Sequence, residues 1–159
     1  MKTGLTRRTL LTSAGLAACS PFFPTASEAQ TTTTTPPMTE AEQANTRIVA
    51  GFCAAWSTRD LQRILPFLAD DCIYRMTETT RAASGHAGVT ERLGTWLQTS
   101  ERVEFRILET FARGPMVVNH RIDTFASPTR PLTWEGIGVF FVKDGKIKEW
   151  SDYTIKVER

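Results

Sequence analysis

From Val103 to Val157 the chain alternates apolar and polar residues, broken only by Gly114-Pro115, by a connection carrying Pro128 and Pro131, and by Asp144-Gly145. A period of two sustained over runs of this length is the pattern of β-strands, and Asp-Gly between two of them is the hairpin signal of a type I′ turn. Four successive strands are predicted: Val103 to Arg113, Met116 to Ala126, Trp134 to Lys143 and Lys146 to Val157. A meander this long has to bury one face, and the segments before it must supply the cover.

Those segments are helical in pattern. Thr39-Glu40-Ala41-Glu42 is a capping box, in which the Thr39 hydroxyl accepts from the Glu42 N–H and the Glu42 side chain reaches back. Ala41, Ala44, Ile48, Phe52, Ala55 and Trp56 then recur at helical spacing, predicting a helix to about Ser57. Asp60 is placed to cap a shorter helix over Leu61 to Leu68, which Pro66 should kink or cut to one good turn. Asp70-Asp71 are expected to close the helical pattern as a turn, ahead of a short strand from Cys72 to Met76. Gly85 and Gly88 open a third helix carrying Val89, Leu93, Trp96 and Leu97. Helices first and a strand meander afterwards predict an α+β domain, with N-terminal helices packed on a curved, mainly antiparallel sheet. The 159 residues suffice for one such domain and not for two.

The domain is expected over residues 39–159. Residues 1–29 read as an export signal: Thr6-Arg7-Arg8-Thr9-Leu10-Leu11 has the twin-arginine pattern, and the apolar run from Leu10 to Ala18 is too short to span a bilayer as a mature helix. Leu16-Ala17-Ala18-Cys19 resembles a lipobox, which would acylate Cys19 and anchor the protein to a membrane, while Ser27-Glu28-Ala29 offers a competing cleavage site. Residues 30–38, rich in Thr and Pro, have nothing apolar to bury and read as a disordered linker. The expected location is periplasmic, or anchored on the outer side of a bacterial inner membrane.

Setting the signal aside changes the charge balance. Of 19 basic and 17 acidic residues, the first eighteen positions hold Lys2, Arg7 and Arg8 and no acid, leaving 16 basic and 17 acidic, a net −1. No electrostatic footprint for nucleic acid remains. Cys53 and Cys72 have no further Cys or His at ligand spacing, so no metal site is expected, and their apolar surroundings read as two buried thiols rather than a disulfide. His86 and His120 read as surface or packing residues.

The chemistry concentrates on two strands. In Val118-Asn119-His120-Arg121-Ile122-Asp123-Thr124-Phe125 the alternation puts Asn119, Arg121, Asp123 and Phe125 on one face. In Lys148-Glu149-Trp150-Ser151-Asp152-Tyr153-Thr154 it puts Trp150, Asp152 and Thr154 on one face. If both faces line one concavity, an Asp–Arg–Asp trio stands beside large aromatics. Two carboxyls and one guanidinium sharing a single proton are neutral, so burial favours one ionised and one protonated acid. That state suits a reaction needing a base and an acid at once, such as opening an epoxide. Trp96, Phe125, Trp134 and Trp150, with Met76, read equally well as cavity wall or as core.

The succession of Tyr74, Arg121-Ile122-Asp123 and Trp150-Ser151-Asp152-Tyr153 resembles the limonene-1,2-epoxide hydrolase family within the NTF2-like (SnoaL-like, ketosteroid-isomerase-like) cone folds, over about residues 40–157. The resemblance implies a cofactor-independent hydrolase in which Asp152 activates water for one-step attack, Asp123 protonates the epoxide oxygen, Arg121 bridges the two acids and Tyr74 helps hold the water. The family's water-holding Asn, two residues after the Tyr, is Met76 here, and Asn119 is the candidate to replace it. A small lipophilic substrate follows, bound by Met76, Trp96, Asn119, Phe125, Trp134 and Trp150. Two other readings stay open: an isomerase or cyclase of ketosteroid-isomerase or SnoaL type, and a non-catalytic module holding an apolar ligand. Phe140-Phe141-Val142, apolar on both strand faces, points to a homodimer through the open face of the sheet.

Overall fold

The computed structural model describes residues 36–158. The export signal, the lipobox at Cys19 and most of the Thr/Pro linker lie outside them. Helix α1 (Glu40–Ala55) starts at the expected capping box: Glu42 N–H donates to Thr39 Oγ1 at 3.2 Å, and Thr39 N–H donates to Glu42 Oε2 at 2.7 Å. The other Glu42 oxygen accepts from Gly114 N–H at 2.8 Å, tying the start of α1 to a distant hairpin turn. A 3-10 turn, Trp56–Thr58, follows α1 directly. Helix α2 is shorter than its pattern predicted, Leu61–Ile64, because Pro66 lies in the next turn, which closes as a 3-10 segment, Leu65–Phe67.

The first strand corrects the sequence reading. Strand β1 runs Leu68–Arg75, so Asp70 and Asp71 lie inside a strand rather than in a turn. They fall where the pairing of β1 slips, between Leu68 opposite Ile147 and Ile73 opposite Glu149. Such an irregularity lets two adjacent acids face outward without burying a charge. A two-residue strand, β2 (Ala83–Ser84), leads into helix α3 (Gly85–Thr99). The meander follows: β3 (Arg102–Arg113), β4 (Met116–Ala126), β5 (Leu132–Lys143) and β6 (Lys146–Glu158). The hairpins turn at Gly114-Pro115 and Asp144-Gly145, with Gly114, Asp144 and Gly145 at positive φ.

Among the described residues the six strands form one sheet in the order β2-β1-β6-β5-β4-β3, antiparallel except for the parallel pairing of β1 with β6. This is the α+β architecture expected from helices followed by a meander. Helices and sheet meet in an aromatic core of Phe52, Trp56, Phe140 and Trp150, all 2 % exposed or less. Phe52 sits edge-on to the other three rings at centroid distances of 4.9–6.0 Å. Cys53 and Cys72 are separate buried thiols. On the opposite face of the sheet, Ile73, Phe111, Phe141, Tyr153 and Ile155 are exposed. Phe140 and Phe141 divide as alternation requires, the first fully buried and the second 40 % exposed.

Candidate active site

Pairing across the sheet brings the three charged residues together. Asp123 stands opposite Trp134 on β5, Arg121 opposite Gly136, and Asp152 opposite Gly138, which also faces Asn119. The Arg121 side chain lies over Gly138, and the Trp134 ring lies over Gly136. A Cβ at Gly138 would fall 1.9 Å from Arg121 Nη1 and 2.8 Å from Asn119 Oδ1. A Cβ at Gly136 would fall 2.1 Å from the Trp134 ring. Gly136 and Gly138 are site residues that the period-two reading passed over, although a Gly-x-Gly inside a strand is itself a signal of close approach.

Arg121 is fully buried, and every branch of its guanidinium is engaged. Nε donates to both Asp123 carboxyl oxygens, each at 3.0 Å; Nη2 donates to Asp152 Oδ1 at 2.7 Å; Nη1 donates to Asn119 Oδ1 at 3.0 Å. Four rings, of Phe105, Trp134, Phe140 and Trp150, surround the guanidinium carbon at 5.0–6.0 Å from their centroids. A cation enclosed by π faces and two carboxyls offsets much of its lost hydration. Burial opposes its charge, but the Asp152 and Asp123 carboxylates hold its pKa above the ordinary value.

The two acids are not equivalent. Asp152 Oδ1 accepts two short hydrogen bonds, from Arg121 Nη2 and from Trp150 Nε1, both 2.7 Å. Burial raises its pKa, against the charge and hydrogen bond of Arg121 and the Trp150 hydrogen bond. Asp123 divides a single N–H between its two oxygens. Burial, countered by Arg121 and reinforced by the Asp152 charge, pushes its carboxyl up to about 7. Two carboxyls on one cation, held by donors of unequal strength, separate into a better-stabilised anion and a readier proton carrier.

Both acids open onto a cavity of about 390 Å³. Tyr74, Met76, Trp96, Phe125, Trp134 and Trp150 all line it, so the aromatics serve as cavity wall. The Tyr74 ring stacks on Trp150 at 3.9 Å, and burial pushes its phenol pKa well above the usual value, with the Asp152 charge adding to the rise. Trp134 Nε1 donates to Thr154 Oγ1 at 3.0 Å, which fixes both at the wall. Trp56, Leu93, Phe105 and Leu132 extend the apolar lining.

Asn119 is placed differently from its expected role. It is fully buried behind Arg121, with Oδ1 on the guanidinium and Nδ2 donating to Cys53 Sγ at 3.6 Å, and it does not line the cavity. Both ends of its amide are engaged, on Arg121 and on Cys53, away from the cavity. Alternation puts Asn119 on the correct face, but the cavity is lined by Asp123 and Asp152 and does not extend past Arg121 to Asn119. Cys53, its thiol pushed up to about 12 by burial, is a neutral packing group at the back of the site. His120 lies on the opposite sheet face, 2.9 Å from Glu135, and His86 Nε2 lies 3.2 Å from the Leu68 carbonyl.

The chain belongs to the SnoaL-like domain family, whose pattern matches residues 49–150. Among solved structures, an LEH-like epoxide hydrolase of M. tuberculosis is 27% identical, with a TM-score of 0.59 over 72% of this chain and 84% of that one. A SnoaL-like polyketide cyclase of Jannaschia sp. CCS1, so described provisionally, is 14% identical, with a TM-score of 0.65 over 76% of this chain and 91% of that one. TerC, co-crystallised with polyporic acid, is 19% identical, with a TM-score of 0.60 over 70% and 92% of the two chains. The cyclase and TerC share the fold. No curated protein matches the chain.

Proposed function

We propose that the protein is an epoxide hydrolase that opens a lipophilic epoxide to a diol in one step. The observation that carries this reading is the unequal pair of acids on one buried guanidinium. Asp152, its Oδ1 held by two donors at 2.7 Å, is the ionised base and turns its other oxygen to a water in the cavity. Asp123, raised to about 7, is the acid. Asp152 takes a proton from water as the water oxygen bonds to an epoxide carbon. The carbon–oxygen bond of the ring breaks, and Asp123 delivers its proton to the departing oxygen. The sum is epoxide plus water giving diol. The proton left on Asp152 then passes to solvent, and Asp123 takes one up, which restores the starting state. Arg121 holds the two carboxyls in place and keeps their joint charge low throughout.

A second reading rests on Met76. A thioether at the cavity wall holds water poorly and an apolar ligand well, which favours a non-catalytic binding module. The experiment that separates the two is diol formation from a panel of terpene, styrene and sterol epoxides by wild type and Met76→Asn. Diol from wild type supports the hydrolase. Binding of the epoxides with no diol from either protein sinks it.

A further inference from the structure

Every charge at the floor of the cavity is compensated, whereas the one at its rim is not. Arg130, on the connection between β4 and β5, lines the cavity and is exposed. Its guanidinium carbon lies 5.2 Å from the centroid of the Trp96 ring, which is itself cavity wall. Its backbone N–H donates to Ser127 Oγ at 3.3 Å, bracing the turn that presents it. Among the described residues no carboxylate lies within ion-pair distance of Arg130, and of the cations so placed it is the one that lines the cavity. A guanidinium placed over an indole and outside any ion pair has donors to spare, in the fork geometry that matches a carboxylate.

The surroundings favour an anion there. Arg92, one helical turn before Trp96 on α3, donates to the Arg81 carbonyl at 3.1 Å, and its charge reaches as far as Tyr74. Glu78, which accepts from Thr154 N–H at 2.7 Å, keeps its charge, and that charge is felt by Asp152 on β6 and not matched to Arg130 by an ion pair. The floor offers an anion nothing, because the Arg121 guanidinium is already engaged by Asp123, Asp152 and Asn119. Between floor and rim the wall is Leu93, Trp96, Phe105, Phe125 and Leu132. The cavity is thus acid-lined at one end, apolar along its length and cationic at its mouth.

We propose that the substrate is an amphipathic epoxide bearing a carboxylate, seated with the carboxylate on Arg130 and the epoxide on Asp123 and Asp152. This rests on the hydrolase reading for its chemistry and on Arg130 for its orientation. The neutral body fills the apolar length, and the two ends fix which way round it binds. An unpaired rim cation also raises the local concentration of an anionic substrate, an effect that salt weakens.

The test compares an unsaturated fatty acid's epoxide with its methyl ester, in wild type and in Arg130→Gln. The expected result is a kcat/KM about tenfold higher for the acid in wild type, the scale of one charge-assisted contact at a half-open rim, falling to near equality in Arg130→Gln and at high salt. Arg130 is exposed, so the variant should fold as wild type does. Equal hydrolysis of acid and ester by wild type would overturn the anchor while leaving the hydrolase standing. Calorimetry with the parent acid lacking the epoxide supplies the converse. If that acid binds about tenfold more weakly to Arg130→Gln while no epoxide yields diol, the anchor stands and the hydrolase fails. If it binds both proteins alike, the anchor is wrong.

Discussion

Gly138 and Arg121 occupy one layer of the cone so closely that a single methyl at Gly138 would lie 1.9 Å from Arg121 Nη1. The glycine is there because the guanidinium needs the space above the β5 backbone. Gly138→Ala should push Arg121 off both carboxyls. The expected cost is about 1–3 kcal/mol from overpacking, and more if a carboxyl is left unpaired. Hydrolysis should fall at least ~10²-fold, the scale of a lost acid or base. Thermal melts and diol assays on the variant measure the two together, and a variant that melts and turns over like wild type would show that Arg121 can shift without loss.

Removing the base and removing the bridge should have opposite balances of effect. Asp152→Asn keeps an oxygen for Arg121 Nη2 and Trp150 Nε1, so the fold should survive while hydrolysis drops by at least ~10²-fold. Arg121→Ala leaves two buried acids facing each other without their cation. It should cost activity and roughly 3–5 kcal/mol of stability. Full hydrolysis by Asp152→Asn would eliminate it as the base.

Rising pH should act against both turnover and stability. The acid role proposed for Asp123 requires its proton, so hydrolysis should fall as pH passes through about 7. The folded state holds that proton more tightly than the unfolded chain, whose aspartates titrate near ~3.9. Stability from this group is therefore fully present below about 4 and lost as pH rises to about 7, and Asp152, raised as well, acts in the same direction. Urea unfolding at pH 5 and pH 8 should reveal the loss, and Asp123→Asn should flatten it.

The sheet face turned away from the helices exposes Phe111 on β3, Phe141 on β5 and Tyr153 and Ile155 on β6. We propose that a second copy of the chain covers it. Sedimentation of wild type at micromolar concentration should give a dimer, and Phe141→Glu should shift it toward monomer. A monomeric wild type would leave this face to some other role.

The Arg7-Arg8 pair is proposed to direct export of the folded domain. Replacement by Lys-Lys should leave the precursor inside the cytoplasm, as read by fractionation. Unchanged export would remove the twin-arginine reading.

Local rules made much of the site legible. Residues two apart on a strand share a face, so Arg121 with Asp123 and Trp150 with Asp152 follow from spacing alone, and the structure joins each pair by a hydrogen bond. The capping box at Thr39 was equally readable because it is settled within four residues. Features set by distant partners were not. The parallel pairing of β1 with β6 joins segments some seventy residues apart, and it draws Asp70 and Asp71 into a strand although their residue types favour a turn. Asn119 satisfies the same alternation as Arg121 yet serves the back of the site, because depth along a strand is decided by where the sheet curves. Arg130 lies in a connection, where no periodicity constrains a side chain.

The floor of the cavity is written into β4 and β6, and its mouth into the connection between β4 and β5 and the segment after β1. The two parts are therefore separately evolvable. Arg121 and Gly138 are held by ladder pairing on both sides and Asp152 by its pairing with Gly138, and a change at any of them disturbs its neighbours. Arg130 is exposed and can be exchanged at little structural cost, so a library confined to it would diversify what enters the cavity while the machinery beneath is inherited intact.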